Sequence, residues 1–230
     1  MALDPSLLAD APAFAGLTVE ALDDVLADAR SVQVCKGETV FSQGDSAERF
    51  YLLLHGRLRV TRLDGQGQQI VVRFVSPGEL FGIAMALRLD AYPATVTAAV
   101  DSVVLAWPNA AWAGLVARHP ALAHNTMATI GGRLQDSHTR VLEMSTQQVE
   151  RRIAQAVLRL ANQAGRKTEH GILIDFPISR QDIAEMTGTT LHTVSRTLSG
   201  WEDQGLIEGG RQRIVVRDPH RLVMLAERPD

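Results

Sequence analysis

The amino-acid sequence predicts an α+β protein in three parts, which differ in hydrophobic periodicity. The first part alternates apolar and polar residues in many short runs between Gly-containing turns, which indicates a double-sheet jelly roll. A stretch after Pro120 spaces apolar residues alternately by four and three, as in a helix that packs along a second helix. The last part predicts two short helices and a hairpin, the arrangement of a winged helix-turn-helix. The predicted boundaries are 1–118, 119–144 and 145–230.

The first domain is predicted to begin with helices. Residues 5–30 repeat leucine, phenylalanine and valine among acidic residues at helical spacing, which predicts an amphipathic helix pair. From Ser31 the period changes to two, and apolar or alternating runs predict strands. The clearest runs are 50–54, 57–61, 70–75, 94–99 and 103–107.

A seam of seven residues marks the long helix. Their spacing fits the a and d positions of a coiled coil, which favours a homodimer over a helix packed on its own sheet. The seam consists of Ala123, Met127, Ile130, Leu134, Ser137, Val141 and Met144. The polar segment 145–149 predicts a hinge, and 149–163 predicts a further helix.

The segment 178–205 predicts two short helices around a turn at Gly188. Ser179 is a good N-cap for the first helix at 180–187, and Thr189 or Thr190 can cap the second at 190–203. The second helix would bury one apolar face and could lie in a DNA major groove, although an ordinary helical hairpin has the same spacing. The buried face comprises Val194, Leu198 and Trp201, and the opposite face carries His192, Ser195, Arg196 and Ser199.

The residues after Gly205 favour the DNA-binding alternative. Segments 206–208 and 212–217 predict two short strands around a tight turn at Gly209-Gly210. Arg211 and Arg213 would then lie near the tip of a β-wing, where phosphates can be contacted.

The run Thr190-Leu191-His192-Thr193-Val194-Ser195-Arg196 resembles the recognition helix of the catabolite-activator/fumarate-nitrate-regulator (CRP/FNR) family of bacterial transcription factors. The resemblance extends over nearly the whole chain. It implies a cyclic-nucleotide-binding-like β-roll, a dimerisation helix and a palindromic operator in double-stranded DNA. Arg196 would read guanine through a bidentate contact. The implied DNA-binding residues are Ser179, Arg180, Thr190, His192, Ser195, Arg196, Ser199, Arg211 and Arg213.

His192 departs from the family pattern, in which most members have glutamate at this position. Because imidazole can donate or accept a hydrogen bond, the base preference at that step is left open. The His192-Thr-Val-Ser-Arg form is similar to the NnrR-type branch that regulates nitrite and nitric oxide reductase genes. That similarity implies nitric oxide sensing under low oxygen in denitrification control, most simply by an activator that also contacts RNA polymerase.

The resemblance also directs attention to an effector site. In the cyclic-nucleotide-binding members, a Gly-Glu pair holds the ribose and a later arginine holds the cyclic phosphate. Gly78-Glu79 matches the first pair, but Tyr92-Pro93-Ala94-Thr95 has no arginine, so cyclic nucleotide binding is not expected. The remaining alternatives are haem, another small ligand or none.

The chain offers few metal ligands. Its single cysteine, Cys35, is expected to pack on the sheet and cannot hold an iron–sulfur cluster. The histidines His55, His119, His124 and His138 are available to a haem iron. His124 and His55 are the haem candidates, and no other metal site is expected.

Charge alone would not have indicated nucleic acid, because the net charge is −3. Residues 1–144 carry 11 basic and 15 acidic groups, whereas 145–230 carry 12 and 11, so DNA contacts must come from placed arginines. No P-loop, HExxH, nucleophile elbow or Cys/His zinc spacing occurs, so we expect no enzyme. A ligand-binding module that acts by protein contacts is the alternative. No membrane span or signal peptide is apparent, which predicts a cytoplasmic protein.

Overall fold

The computed structural model describes residues 3–227, which divide into two compact units. One comprises the described part of Met1–Leu63 with Arg73–Asp136, and the other comprises Asp64–Val72 with the described part of Ser137–Asp230. Sheets and helices occur in both, so the predicted α+β class is confirmed. No helix in the described part of the chain combines the length and the apolar character needed to cross a membrane.

The N-terminal segment is more broken than the predicted helix pair. It contains α1 (Ser6–Ala9), a 3₁₀ turn (Pro12–Phe14) and α2 (Val19–Leu26). Proline at the first position of the 3₁₀ turn and Gly16, whose φ is +78°, interrupt the helical path. The Thr18 hydroxyl then accepts a hydrogen bond from the Ala21 amide and begins α2.

Eight strands form the two sheets of the roll, as the alternating pattern predicts. In chain order they are β1 (Arg30–Val34), β2 (Thr39–Phe41), β3 (Arg49–His55), β4 (Leu58–Leu63), β5 (Gln69–Val75), β6 (Leu80–Phe81), β7 (Thr95–Ala98) and β8 (Ser102–Pro108). One sheet has the order β1-β8-β3-β6 and the other β2-β7-β4-β5. The strand pairs β1–β8, β2–β7, β3–β6, β3–β8 and β4–β7 are antiparallel.

The core of the roll is centred on Trp107, which is fully buried in β8. Its ring stacks on Phe50 with a centroid distance of 5.2 Å, and its indole N–H donates to the Val25 carbonyl at 2.7 Å. The hydrogen bond satisfies the buried indole and fixes α2 on the sheet. Two helices follow, α3 (Ala111–Arg118) and α4 (Pro120–Thr146), which place Leu115 and Leu122 in the same core.

Cys35 does not pack on the sheet as expected. It follows the last residue of β1 and is exposed, in the turn that contains Lys36 and Gly37. The alternation of β1 ends at Val34, whose side chain is buried. The backbone amide of Cys35 donates instead to the Glu38 carboxylate at 2.9 Å.

The second unit contains the helices and strands of the C-terminal domain. They are α5 (Val149–Ala164), β9 (Gly165–Thr168), β10 (Gly171–Ile174), α6 (Arg180–Thr187), α7 (Leu191–Asp203), β11 (Ile207–Gly210), β12 (Arg213–Val216) and α8 (Pro219–Glu227). The sheet order is β11-β12-β10-β9. Ile153, Val157 and Leu160 of α5 are buried, as predicted for this helix.

Two local features differ from the sequence prediction. The hinge predicted at 145–149 is shorter, because α4 continues to Thr146 and α5 begins at Val149. Ser145 and Thr146 remain helical, and their hydroxyls bond to carbonyls one turn earlier at 2.8 Å. The hairpin of β9 and β10 was not predicted, since the first of these strands is polar and has no buried residue.

Candidate nucleic-acid interface and effector cavity

Local hydrogen bonds set the first helix of the helix-turn-helix. The Ser179 hydroxyl accepts from the Asp182 amide at 3.0 Å, while the Asp182 carboxylate accepts from the Ser179 amide at 2.9 Å. This capping box satisfies two amides that the helix leaves unpaired, so α6 begins at Arg180. Gly188 ends the helix in the left-handed conformation, with φ +61° and ψ +41°. The predicted bounds 180–187 are confirmed.

The second helix presents two chemically different faces. Thr190 caps it by accepting from the Thr193 amide at 3.2 Å, and the helix ends at Asp203. Val194, Leu198 and Trp201 are each 1% exposed or less, as the spacing predicts. On the other side, the predicted contact residues divide by exposure: His192 and Arg196 are exposed, and Ser195 and Ser199 are half-buried.

Arg180 was predicted as a DNA contact, and the structure gives its guanidinium three partners on α7. It donates to the Ser195 carbonyl at 3.3 Å, to the Ser199 hydroxyl at 3.2 Å and to Glu202 Oε1 at 2.9 Å. The guanidinium therefore joins α6 to α7, and Ser199 is occupied by the same network. Glu202 was not among the predicted residues, since no sequence signal relates positions 22 apart in this way.

The turn of the wing lies two residues later than predicted. Gly209 and Gly210 belong to β11, where they pair with Ile214 and Arg213, and the turn consists of Arg211 and Gln212, with Gln212 at φ +57°. Gly209 instead leaves room for the Glu202 carboxylate, because a Cβ there would lie 1.9 Å from Glu202 Oε1. The correction places Arg211 in the turn itself.

The two wing arginines differ in their surroundings. Arg211 is exposed, whereas Arg213 donates to Glu208 Oε1 at 2.8 Å and Arg217 donates to Oε2 of the same carboxylate at 3.0 Å. The hydrogen bond from Arg213 is the main cause that lowers the pKa of Glu208 below its usual range, and the charges of Arg213 and Arg217 add to it. Arg213 therefore has a carboxylate partner in the free protein.

The seam predicted on α4 is partly exposed and partly turned to the roll. Ile130 packs against the core cluster and Ala123 is half-buried, while Ser137 is exposed. The large apolar side chains of α4 that remain in solvent are Met127, Leu134, Val141, Leu142 and Met144, between 44% and 65% exposed. Three of them, Met127, Leu134 and Val141, repeat every seven residues as the a/d pattern predicts.

A cavity of about 150 Å³ lies in the roll beside α4. Gly82 and Ile83 line it, whereas Glu79, which matches the ribose partner of the cyclic-nucleotide-binding members, does not. Glu79 instead holds Arg73 at 2.7 Å and accepts from the Ser76 amide at 3.0 Å, so the Gly78-Glu79 pair forms a turn outside the cavity. The lining residues are Phe41, Val60, Arg73, Phe81, Gly82, Ile83, Ala84, Leu87, Tyr92, Pro93, Ala94, Val96 and Arg133.

The haem candidates do not lie in this cavity. His55 and His124 are exposed, and the described lining side chains include no histidine or cysteine. The Tyr92 hydroxyl donates to the Arg49 carbonyl at 2.7 Å, and burial raises the pKa of Tyr92, so a phenolate ligand is disfavoured. Within residues 3–227 no group of three or more His, Cys, Asp or Glu could hold a metal ion. The lining therefore does not fit a haem iron.

Comparison with known proteins identifies both halves of the chain. Residues 31–119 match the family model of the cyclic nucleotide-binding domain, and residues 151–225 match that of the Crp-like helix-turn-helix domain. The chain is 30% identical over 215 residues to the Cyclic AMP receptor protein of Thermus thermophilus, covering 94% of this chain and 96% of that protein. It is 26% identical over 208 residues to the Transcriptional activator protein FnrA of Stutzerimonas stutzeri, covering 90% and 84%.

The fold agrees with a solved structure of the same kind. FixK2 from Bradyrhizobium japonicum superposes with a TM-score of 0.76 at 24% identity, covering 88% of this chain and 99% of that one. The relatives are transcription regulators and not enzymes. Because both domain models match and a relative is 30% identical over nearly the whole chain, the chain belongs to the CRP/FNR family of DNA-binding transcription regulators.

Proposed function

We propose that this regulator acts as a homodimer that binds a palindromic operator through α7. The observation that carries the proposal is the division of α7, which buries Val194, Leu198 and Trp201 and leaves Arg196 and His192 in solvent. Arg196 is exposed and forms no hydrogen bond or ion pair within residues 3–227, so its guanidinium exchanges no protein partner when it binds guanine. Ser195 and Thr190 border the same end of the helix.

The remaining candidate residues receive different roles in this proposal. Arg211 in the wing turn contacts phosphate, and Arg213 does so after leaving Glu208. Ser179 and Arg180 position α6 and α7, because their polar groups already bond within the domain. Ser199 shares the network of Arg180 and supports the helix in the same way.

Substitution of Arg196 tests the placement of the recognition helix. An operator is first selected from a random duplex pool, and binding is then measured by fluorescence anisotropy at several salt concentrations. Arg196→Ala should lose about 1–3 kcal/mol of discrimination at one guanine per half-site. His192→Glu should change the preferred base at the neighbouring step instead of weakening all sequences. Arg118→Ala, at a half-exposed arginine of α3 in the other unit, is the matched control and should leave both readouts unchanged.

The dimer is supported by the exposed apolar residues of α4. A second helix that covered Met127, Leu134 and Val141 would remove their hydrophobic surface from water. Leu134→Glu should convert the dimer to monomers in sedimentation velocity and abolish operator binding, because one protomer reaches one half-site. Leu63→Glu, at another exposed leucine in β4, is the control and should preserve the dimer. A monomeric parent protein would contradict the proposal.

The response to nitric oxide and the haem group remain predictions from the branch resemblance. The lining of the cavity does not support them, so a haem at His124 or His55 would have to lie elsewhere. Absorption spectra of the purified protein, before and after nitric oxide, test the prediction directly. A Soret band that shifts with nitric oxide and is lost in His124→Ala or His55→Ala would support it, and no saturable haem binding would contradict it. Activation through RNA polymerase, in the cytoplasm, is likewise part of the proposal and is tested by transcription from the selected operator.

A further inference from the structure

The cavity in the roll has an apolar body with an aromatic wall. Phe41 stacks on Tyr92 at a centroid distance of 3.8 Å and on Phe81 at 6.1 Å. The Tyr92 hydroxyl donates to the Arg49 carbonyl and accepts from the Arg49 amide, so both of its hydrogen bonds go to a residue that does not line the cavity. Val60, Ile83, Leu87 and Val96 contribute aliphatic surface. A dry cavity of about this volume in another protein holds a benzene molecule.

Two guanidinium groups border the same cavity. Arg73 comes from β5 and Arg133 from α4, and both are lining residues. Arg73 bonds to Glu79 at 2.7 Å and to the Phe74 carbonyl at 3.1 Å. Arg133 donates to the Leu80 carbonyl at 2.5 Å and lies 3.7 Å from the same Glu79 oxygen. One carboxylate therefore serves two arginines at this border.

The charged groups described at this border are two guanidiniums and one carboxylate. Burial, and after it the charge of Arg73, lower the pKa of Arg133 to about 10, although the Glu79 carboxylate acts in the opposite direction. An additional anion beside Arg133 would stabilise its charged form in this desolvated position. The charged groups that act on Arg133 thus favour a ligand with one negative charge.

We propose that this cavity binds a small carboxylic acid with an apolar body about the size of a benzene ring, with its carboxylate on Arg133 and Arg73. The aromatic wall receives the body, and the two guanidiniums hold the carboxylate in charge-assisted hydrogen bonds. A cyclic nucleotide has ribose hydroxyls and a polar base edge, which Ile83, Ala94 and Val96 could not satisfy. The inference deepens the proposed function, because it names the class of effector for the regulator.

Calorimetric titration of the full-length protein with benzoate tests the proposal without DNA. Benzoate should bind saturably, with one molecule per chain. Benzamide has the same ring without the charge, and acetate has the charge without the ring. Each should therefore bind at least about tenfold more weakly than benzoate. Arg133→Gln should weaken benzoate by about tenfold, and Arg133→Lys by less, because it keeps the charge. Arg118→Gln, whose arginine pairs with Asp24 outside the cavity, should bind benzoate as the parent does.

A cavity-filling variant keeps the test decisive if Arg133→Gln does not fold. Ala94→Phe should place a ring in the apolar body and abolish benzoate binding while the far-UV circular dichroism is retained. Equal binding of benzoate and benzamide, or unchanged benzoate binding in Ala94→Phe, would overturn the assignment. Cyclic AMP, titrated in parallel, would overturn it by binding more tightly than benzoate. Operator binding is measured separately. A failed benzoate titration therefore does not contradict the role of Arg196, and a failed Arg196 experiment does not contradict benzoate binding.

Discussion

The contact between Gly209 and Glu202 leads to a prediction in which the effect of one substitution depends on its background. In Gly209→Ala, the new Cβ would lie 1.9 Å from Glu202 Oε1 and 2.8 Å from its Cδ. Oε1 is also the atom to which Arg180 donates at 2.9 Å. The carboxylate is the far end of a flexible side chain, so it should rotate away and leave Arg180. The rotation relieves the clash with the Cβ but breaks the ion pair between Arg180 and Glu202.

Two terms of similar size set the magnitude. The side chains of Arg180 and Glu202 are 38% and 31% exposed, so solvent screening limits their ion pair to about 0.5–1 kcal/mol. Replacing a strand glycine by alanine gains about 0.5–1 kcal/mol, because less backbone entropy is lost on folding. Gly209→Ala should therefore be nearly neutral in the parent, but should stabilise the Glu202→Ala background by about 0.5–1 kcal/mol.

Urea unfolding of the four proteins in this cycle measures the coupling. Each is followed by tryptophan fluorescence and by far-UV circular dichroism, so that any separate unfolding of the two units is seen. Gly65→Ala is the control, because its Cβ would meet open space, and its effect should be the same in both backgrounds. If Gly209→Ala has the same effect with and without Glu202, to within about 0.3 kcal/mol, the proposed contact does not govern this junction.

Three further predictions concern single residues. Gly56→Ala should destabilise the roll by more than about 2 kcal/mol in urea unfolding, because its φ is +98° and a Cβ would lie 2.2 Å from Ser102 Oγ; the open Gly65→Ala should be tolerated. Ser179→Ala should cost about 1 kcal/mol through the capping box, and an unchanged urea midpoint would contradict that role. Glu208→Gln should strengthen DNA binding at low salt by freeing wing arginines, measured by anisotropy. In the parent, the lowered pKa of this carboxyl adds to the free energy of unfolding above pH 4.5, and that contribution is lost as pH falls below 4.5. Glu208→Gln should lack this pH-dependent contribution.

Local sequence signals predicted the parts of the site whose hydrogen bonds are local. The bounds of α6 followed from Ser179 as N-cap and Gly188 as the left-handed end, and both act within a few residues of themselves. The buried face of α7 followed from the spacing of Val194, Leu198 and Trp201. The strands of the roll followed in the same way from a period of two, since it reflects one buried face.

Where glycine had more than one structural use, the sequence was ambiguous. Gly209-Gly210 was predicted as the wing turn, because glycine is frequent in turns. In the structure Gly209 allows Glu202 to approach the strand, and Gln212 takes the positive φ. Gly78-Glu79 matches the ribose-binding pair of the cyclic-nucleotide-binding members, but it forms a turn, and Gly82 lines the cavity instead. Sequence identity alone does not show which neighbour approaches a glycine.

The sequence by itself determined the α+β class, the order of roll, long helix and winged helix-turn-helix, and the outward arginine of α7. Those features depend on hydrophobic periodicity and helix capping, which involve residues close together in the sequence. The tertiary structure alone decided that Arg180 and Glu202 join the two helices, that Arg73 and Arg133 border one cavity, and that no histidine among its described side chains reaches it. These pairs lie 22 and 60 positions apart, so folding, and not spacing, brings their charges together.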